Sequence, residues 1–263
     1  MIKLIASDID GTLVPYGEHD LPQGLFPLIH RLKAAGVVFC PASGRQYHSL
    51  RQLFAPVAED VCFLCENGAI LYGPGEEDAA PILAKTAMPQ REAMALAGEI
   101  LALPDCEVLI SGANTSYVCG CPPEYVTHLR EDKGNRVTVL EDVSQIPEEI
   151  LKVSAYCPNG TDAPQAALGP RWSALGMAVA GPDWLDFTLA DKGVGLRGLC
   201  GALGVRLEET AAFGDNWNDA AMLSLAGQPW LMEGAHPELL RRFPRHCKSV
   251  PAILEELLKE MEG

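Results

Sequence analysis

Four short apolar runs, each broken off by small, polar or acidic residues, constrain this chain more than any other feature. Residues 2–6 stop at Asp8, Asp10, Gly11 and Thr12, and residues 37–40 run into Ser43, Gly44 and Arg45. Residues 61–65 give way to Glu66-Asn67-Gly68-Ala69, and residues 211–213 to Gly214-Asp215-Asn216-Trp217-Asn218-Asp219. Such runs are buried strands that deliver polar groups at their carboxyl ends. Between the first two, Leu25, Leu28, Ile29, Leu32 and Ala35 recur at helical spacing and Gly36 ends the pattern; a second helix is expected over 47–54. Strand, helix, strand, helix, strand predicts an α/β fold, a parallel sheet with crossover helices on both faces. Ligands of such sheets bind outside the carboxyl ends of the strands.

A length of 263 residues suits one large domain or a core with an insertion. From about Gly73 the texture changes, through the loop GPGEEDAAP. A helix is expected over 88–103 and half-exposed strands over 107–110, 115–119, 136–140 and 151–156. Loops are expected at Pro122-Pro123, Pro147, Pro158-Asn159-Gly160 and Gly169-Pro170. This predicts an inserted α+β unit over 86–186, with 1–85 and 187–263 forming the core. The parallel pattern is expected to resume at 185–189, followed by a helix opened near Lys192 and closed by Gly204. A last strand at 230–232 and a helix carrying Ile253, Leu254, Leu257 and Leu258 complete the expectation.

Composition narrows the function classes. A formal charge of −15 argues against nucleic acid or an anionic membrane as partner. Nine scattered cysteines suit a reducing compartment, and Cys62 and Cys65, within an apolar run, read as core packing rather than a metal site. With no secretory pattern and no apolar run of spanning length, a cytoplasmic protein is expected.

If strand geometry persists to Asp10, Asp8 and Asp10 project to one side and need a cation, a shared proton or both. Alone, the motif is equally a turn in which Asp and Thr bond to nearby amides. Ser43 reads as an N-cap or as a phosphate ligand, and its position at a strand's carboxyl end decides for the phosphate ligand. Lys192 opens a helix, where its charge opposes the helix dipole, so it serves another group or is simply solvated. An N-cap accounts for one residue of the 214–219 run, not for Asp215, Asn218 and Asp219 together. Jointly, these hard oxygen donors select magnesium, which bridges to phosphate. Lys192 then supplies a point charge, Ser43 a hydroxyl, and Gly11 and Gly44 close backbone amides.

Asp8-Ile9-Asp10-Gly11-Thr12-Leu13, Ser43-Gly44-Arg45, Lys192-Gly193 and Gly214-Asp215-Asn216-Trp217-Asn218-Asp219 resemble, in order and spacing, the four motifs of the haloacid dehalogenase (HAD) superfamily of phosphatases. An insertion between the second and third motifs, with Glu66-Asn67-Gly68-Ala69, resembles the Cof-like branch with the type IIB cap. The resemblance implies a HAD-like Rossmannoid core and an α+β (C2B) cap that selects substrates. It implies a Mg²⁺-dependent phosphatase of small phosphomonoesters, sugar phosphates first among them. Asp8 would be the nucleophile forming an aspartyl-phosphate and Asp10 the general acid and base. Gly11, Ser43, Gly44, Arg45 and Lys192 would hold the phosphoryl group. Mg²⁺ would be bound by the side chains of Asp8 and Asp215 and the carbonyl of Asp10, with Asn218 and Asp219 orienting metal-bound waters and Lys192. A sugar-phosphate mutase or phosphotransferase, and a receiver-like phosphoryl acceptor, are the alternatives. A small-molecule phosphate ester is the expected partner, and a monomer or homodimer the expected state. The segment 248–258 departs from the branch by lacking an Asn-Asp-Gly-Val run. Tyr117, Tyr125, Tyr156 and Trp172 could stack on a sugar or a ring, but most of them are expected to pack.

Overall fold

The computed structural model describes residues 1–16, 18 and 20–262. Along the chain come β1 (Leu4–Ser7), α1 (Leu25–Ala34), β2 (Val38–Pro41), α2 (Tyr47–Leu53), β3 (Phe63–Cys65), β4 (Ile70–Tyr72) and β5 (Ile82–Lys85). Then follow α3 (Gln90–Leu101), β6 (Glu107–Ser111), β7 (Ser116–Cys119), α4 (Pro123–Thr127), β8 (Val137–Leu140), β9 (Lys152–Tyr156), α5 (Asp162–Trp172), β10 (Met177–Val179) and β11 (Trp184–Phe187). The last stretch holds α6 (Lys192–Leu203), β12 (Thr210–Gly214), α7 (Ala220–Leu225), β13 (Gln228–Met232), α8 (Pro237–Arg242), β14 (His246–Cys247) and α9 (Val250–Glu262). Two compact units result: residues 1–44, 50–84 and 191–263, and residues 45–49 with 85–190.

The first unit is built on a parallel sheet in the order β14-β13-β12-β1-β2. Its central strand β1 is buried throughout, so it reads as a continuous apolar run rather than an alternation. Leu4 and Ala6 face the apolar cluster of Leu196 and Leu199 from α6 and Met222 and Leu223 from α7. On the opposite side α1 packs beside β2 and against α9. Helices therefore cover both faces, and the free ends of the strands are left for chemistry.

One strand differs from expectation. The apolar run at 61–65 yields only the three-residue β3, which joins β2 through a single parallel bridge, Ala42 to Leu64. Its other edge is spent on antiparallel β4, in a separate sheet ordered β3-β4-β5.

The second unit holds a six-stranded sheet, β10-β11-β9-β6-β7-β8, antiparallel except between β7 and β8. Val108, Ile110, Val153, Ala155, Leu185 and Phe187 face a core shared with Ala93, Leu96, Ala97 and Ile100 of α3. Leu109 and Val118 turn the other way, under Tyr125 and Leu129. The strands at 107–111, 116–119 and 152–156 are therefore buried, not half-exposed, because apolar groups occupy both faces. Buried polar groups share the second face, where Asp186 accepts a hydrogen bond from Ser154 (2.6 Å) and pairs with Lys152 (3.5 Å).

Two further expectations do not hold. The strand at 184–187 pairs antiparallel with β9 and β10 instead of resuming the parallel sheet. Gly169-Pro170, expected as a loop, lies inside α5; proline there removes one backbone donor, and burial of Leu168 and Trp172 in the core offsets that loss. Tyr117, Tyr125 and Trp172 are buried packing residues, while Tyr156 is half-buried, stacked on Tyr125 and tilted against Trp184. All nine cysteines are free thiols.

Candidate active site

The strand ends of the first unit gather the charge that the sequence placed there. β1 stops at Ser7, so strand geometry does not persist to Asp10: Asp8 is buried and Asp10 exposed, where it bridges Val14. The turn between them is tight. Thr12 and Val14 donate backbone N–H groups to the Ile9 carbonyl, and Gly11 donates its own to Val14 (2.7 Å). With that amide committed to the turn, Gly11 contributes chiefly clearance. Its φ is +94°, and a Cβ there would lie 2.4 Å from Asp215 Oδ2.

Lys192 enters from the first turn of α6, a helix capped by the Asp191 side chain on the Val194 N–H (2.7 Å). Its ammonium is buried and donates to Asp8 Oδ1 (2.5 Å) and Asp219 Oδ1 (2.7 Å). Burial alone would lower the lysine pKa, but the Asp219 and Asp8 carboxylates beside it raise it, so it stays charged. The Asp8 carboxyl is pushed up to about 7: burial raises it, Lys192 opposes that, and Asp219 and Asp215 add to it. A cation beside Asp8 would favour its ionised form.

Asp219 is fully engaged. Its Oδ1 takes the lysine, and its Oδ2 accepts the backbone N–H groups of Asp215 (3.0 Å) and Asn216 (3.1 Å). This ties the loop after β12 to Lys192, and Gly214 makes it possible, since a Cβ there would lie 2.5 Å from Asp219 Cβ. Asp215 accepts from Thr12 at Oδ1 (3.1 Å) and from Tyr16 at Oδ2 (2.7 Å). Its carboxyl is raised by burial, against the pull of the Tyr16 hydrogen bond. Asn218 stands on the exposed side of the same turn.

Ser43 is buried at the end of β2, its N–H on the Leu64 carbonyl (2.9 Å) and its carbonyl accepting from Asn67 N–H (3.0 Å). Gly44 passes against Asn67, whose side chain would lie 3.1 Å from a Cβ there. Glu66 and Asn67 both adopt left-handed backbone conformations, with φ of 51° and 55°, so local strain is stored in the turn that braces Ser43. Arg45 is half-buried in the segment 45–49 of the second unit. In that unit Gln46 pairs with the backbone of Arg136, accepting from its N–H (2.7 Å) and donating to its carbonyl (3.0 Å).

Asp8, Asp215 and Asp219 each bring a carboxylate oxygen within 4.8 Å of the others, a donor set suited to a hard divalent cation. Asp8 Oδ2 is the telling atom: it is buried and accepts no hydrogen bond from the described residues. A buried carboxylate oxygen left unmatched is costly, and a cation or an electrophile would complete it.

A family model for haloacid dehalogenase-like hydrolases matches residues 5–250. The chain belongs to that family. Among named relatives, it is similar to the 5-amino-6-(5-phospho-D-ribitylamino)uracil phosphatase of Escherichia coli, 26% identical over 239 residues, 89% of this chain and 86% of the relative. It is also similar to the HMP-PP phosphatase of Cronobacter sakazakii, 28% identical over 264 residues, 94% and 92% of the two chains. The fold is that of the HAD subclass IIB sugar phosphatase BT4131, at a TM-score of 0.76 and 22% identity, covering 99% of this chain and 98% of that one.

Within this HAD-family site, sequence reasoning missed Tyr16 and the use of Thr12 as a side-chain donor. Thr12 was in view as a motif residue, and its partner is fixed only by folding. Tyr16 carries no periodicity or spacing that marks it; adjacency to a motif was the only available signal. Among the described residues no helix is long and apolar enough to cross a membrane.

Proposed function

We propose that this HAD-family chain is a Mg²⁺-dependent phosphatase that hydrolyses small phosphomonoesters through an aspartyl-phosphate on Asp8. The observation that carries the reading is the asymmetry of Asp8, with one oxygen held by Lys192 and the other buried without a hydrogen bond among the described residues. That leaves one oxygen free to attack phosphorus while the other is fixed in direction.

In the first half-reaction an Asp8 oxygen bonds to phosphorus and the ester P–O bond breaks, its electron pair leaving with the alcohol oxygen. Asp10, exposed two residues on, gives that oxygen a proton. In the second, the Asp10 carboxylate takes a proton from water, the water oxygen bonds to phosphorus, and the Asp8–phosphorus bond breaks to release inorganic phosphate. Lys192 and Ser43 hold phosphoryl oxygens where negative charge gathers. Gly44, kept free of a side chain beside Asn67, and Arg45 complete the phosphate loop. Asp8 and Asp215, with the Asp10 carbonyl, would hold the Mg²⁺, which when bound supplies charge neutralisation for two anions that otherwise repel. Asp219, with both oxygens already engaged, holds Lys192 and the 215–216 backbone. The inserted unit, residues 86–186, would select the leaving group, with sugar phosphates as the substrate class. The names of the two curated relatives and of the IIB sugar phosphatase support small phosphate esters as substrates.

The test is hydrolysis of an aryl phosphate by the purified chain with Mg²⁺ and with chelator. Magnesium-dependent turnover that disappears in Asp8→Asn and Asp10→Asn is the expected result. Single uptake of a phosphoryl group with no turnover would replace the hydrolase reading by a phosphoryl-acceptor one.

A further inference from the structure

We propose that the Tyr16 hydroxyl positions Asp215 for metal binding, a role that rests on the reading of Asp215 as a metal ligand under the proposed function. The tight turn over residues 9–14 doubles the chain back on itself, and Tyr16 follows two residues after it. Its hydroxyl donates to Asp215 Oδ2 at 2.7 Å, while Thr12 donates to Oδ1 at 3.1 Å. The carboxylate is thus gripped from both sides, by one buried and one exposed residue.

Three observations separate this arrangement from ordinary packing. Tyr16 is 72% exposed, so the hydrophobic effect does not hold the ring where it is. The ring lies directly against the motif, since a Cβ on Gly11 would come within 2.7 Å of Tyr16 Cε2 and 2.4 Å of Asp215 Oδ2. Tyr16 and Asp215 also line one cavity of about 310 Å³ with Met232, Glu233 and Cys247. Water in that cavity could satisfy Asp215 Oδ2, so the tyrosine is not needed to pair a buried acceptor. What the hydroxyl adds is direction: it fixes one carboxylate oxygen so that the group enters metal coordination in one orientation. Hydrogen bonds to ligating carboxylates do this generally, and their loss weakens metal binding about 10- to 100-fold.

The experiment is a calorimetric titration of the metal-free chain with Mg²⁺, repeated with Mn²⁺, for wild type and Tyr16→Phe. The substitution keeps the ring and removes only the hydroxyl. The expected result is a Kd about 10-fold weaker in the variant, with the melting temperature in chelator unchanged. The metal concentration giving half-maximal hydrolysis should rise by the same factor. An unchanged Kd would overturn the proposal, and so would a tighter one, which would mean that the hydroxyl competes with the cation. A lower melting temperature accompanying the weaker Kd would make the role merely structural and equally overturn it. Because binding is read without turnover, wild type that binds metal but hydrolyses no phosphate ester would sink the phosphatase reading and leave the Tyr16 comparison intact.

Discussion

Lys192 divides one charge between Asp8 and Asp219, and all three groups are buried. Removing one member of such a group strands the others, at a cost of about 3–5 kcal/mol. Lys192→Met is therefore expected to lose about that much stability in urea unfolding with chelator present, and to lower kcat by about 10²–10³-fold. Retained stability would mean that water enters the site and solvates the two acids. Gly68 sets a second limit. Its φ is +96°, and a Cβ would lie 2.3 Å from the Asp191 carbonyl oxygen, next to the cap of α6. Gly68→Ala combines left-handed strain with overpacking, roughly 2–5 kcal/mol together, and the urea midpoint should fall accordingly. At this scale Asp8, Lys192, Asp215 and Asp219 were legible because charge at the end of a buried run has no packing explanation. Tyr16 was not, because an exposed tyrosine in a loop looks like any other until its partner is known.

Between elements, the Lys3 ammonium at the entry to β1 meets Glu209, which precedes β12, at 2.9 Å, and the Lys3 N–H donates to the Glu209 carbonyl (2.7 Å). The lysine first, then the N–H and guanidinium of Arg206, hold the Glu209 carboxyl down at about 2, against 4.5 for a free one. The folded state therefore prefers the ionised form. This contribution is fully present above about pH 4.5 and fades as pH falls toward about 2. Glu209→Gln should lower the melting temperature at pH 7, and the gap from wild type should close progressively below pH 4.5. A gap independent of pH would show that shape, not charge, matters at this position. Elements with strong periodicity, α1, α3 and α6, were legible from sequence. The strand at 184–187 was legible as a strand but its pairing was not, because an apolar run gives no sign of whether its neighbours will be parallel or antiparallel. α5 was hidden by Gly169-Pro170, whose local preference is outweighed by the burial of Leu168 and Trp172.

For the whole molecule, eight of the nine free cysteines are buried and Cys121 is half-buried. Burial raises the thiols, that of Cys247 to about 11 and those of Cys40 and Cys65 well above the ordinary value, so little thiolate forms at neutral pH. A thiol reagent at pH 8 should label about one cysteine rapidly in the native chain and all nine in denaturant; fast labelling of several would reveal opening of the buried cores. The change of texture after Gly73 made an insertion legible, but the first unit draws on three stretches of chain and the second reclaims residues 45–49, an exchange that no local pattern announces. The proposed role of Asp8 as the covalent carrier of the phosphoryl group is the one on which all the other proposed roles depend. Its most direct test is to quench the chain during turnover of an aryl phosphate, reduce any acyl phosphate with borohydride, and map the modified residue by mass spectrometry. Reduction confined to Asp8, and absent when substrate is withheld, is the predicted result. Turnover with no modified aspartate, or with the modification at Asp10 or Asp215, would contradict that role.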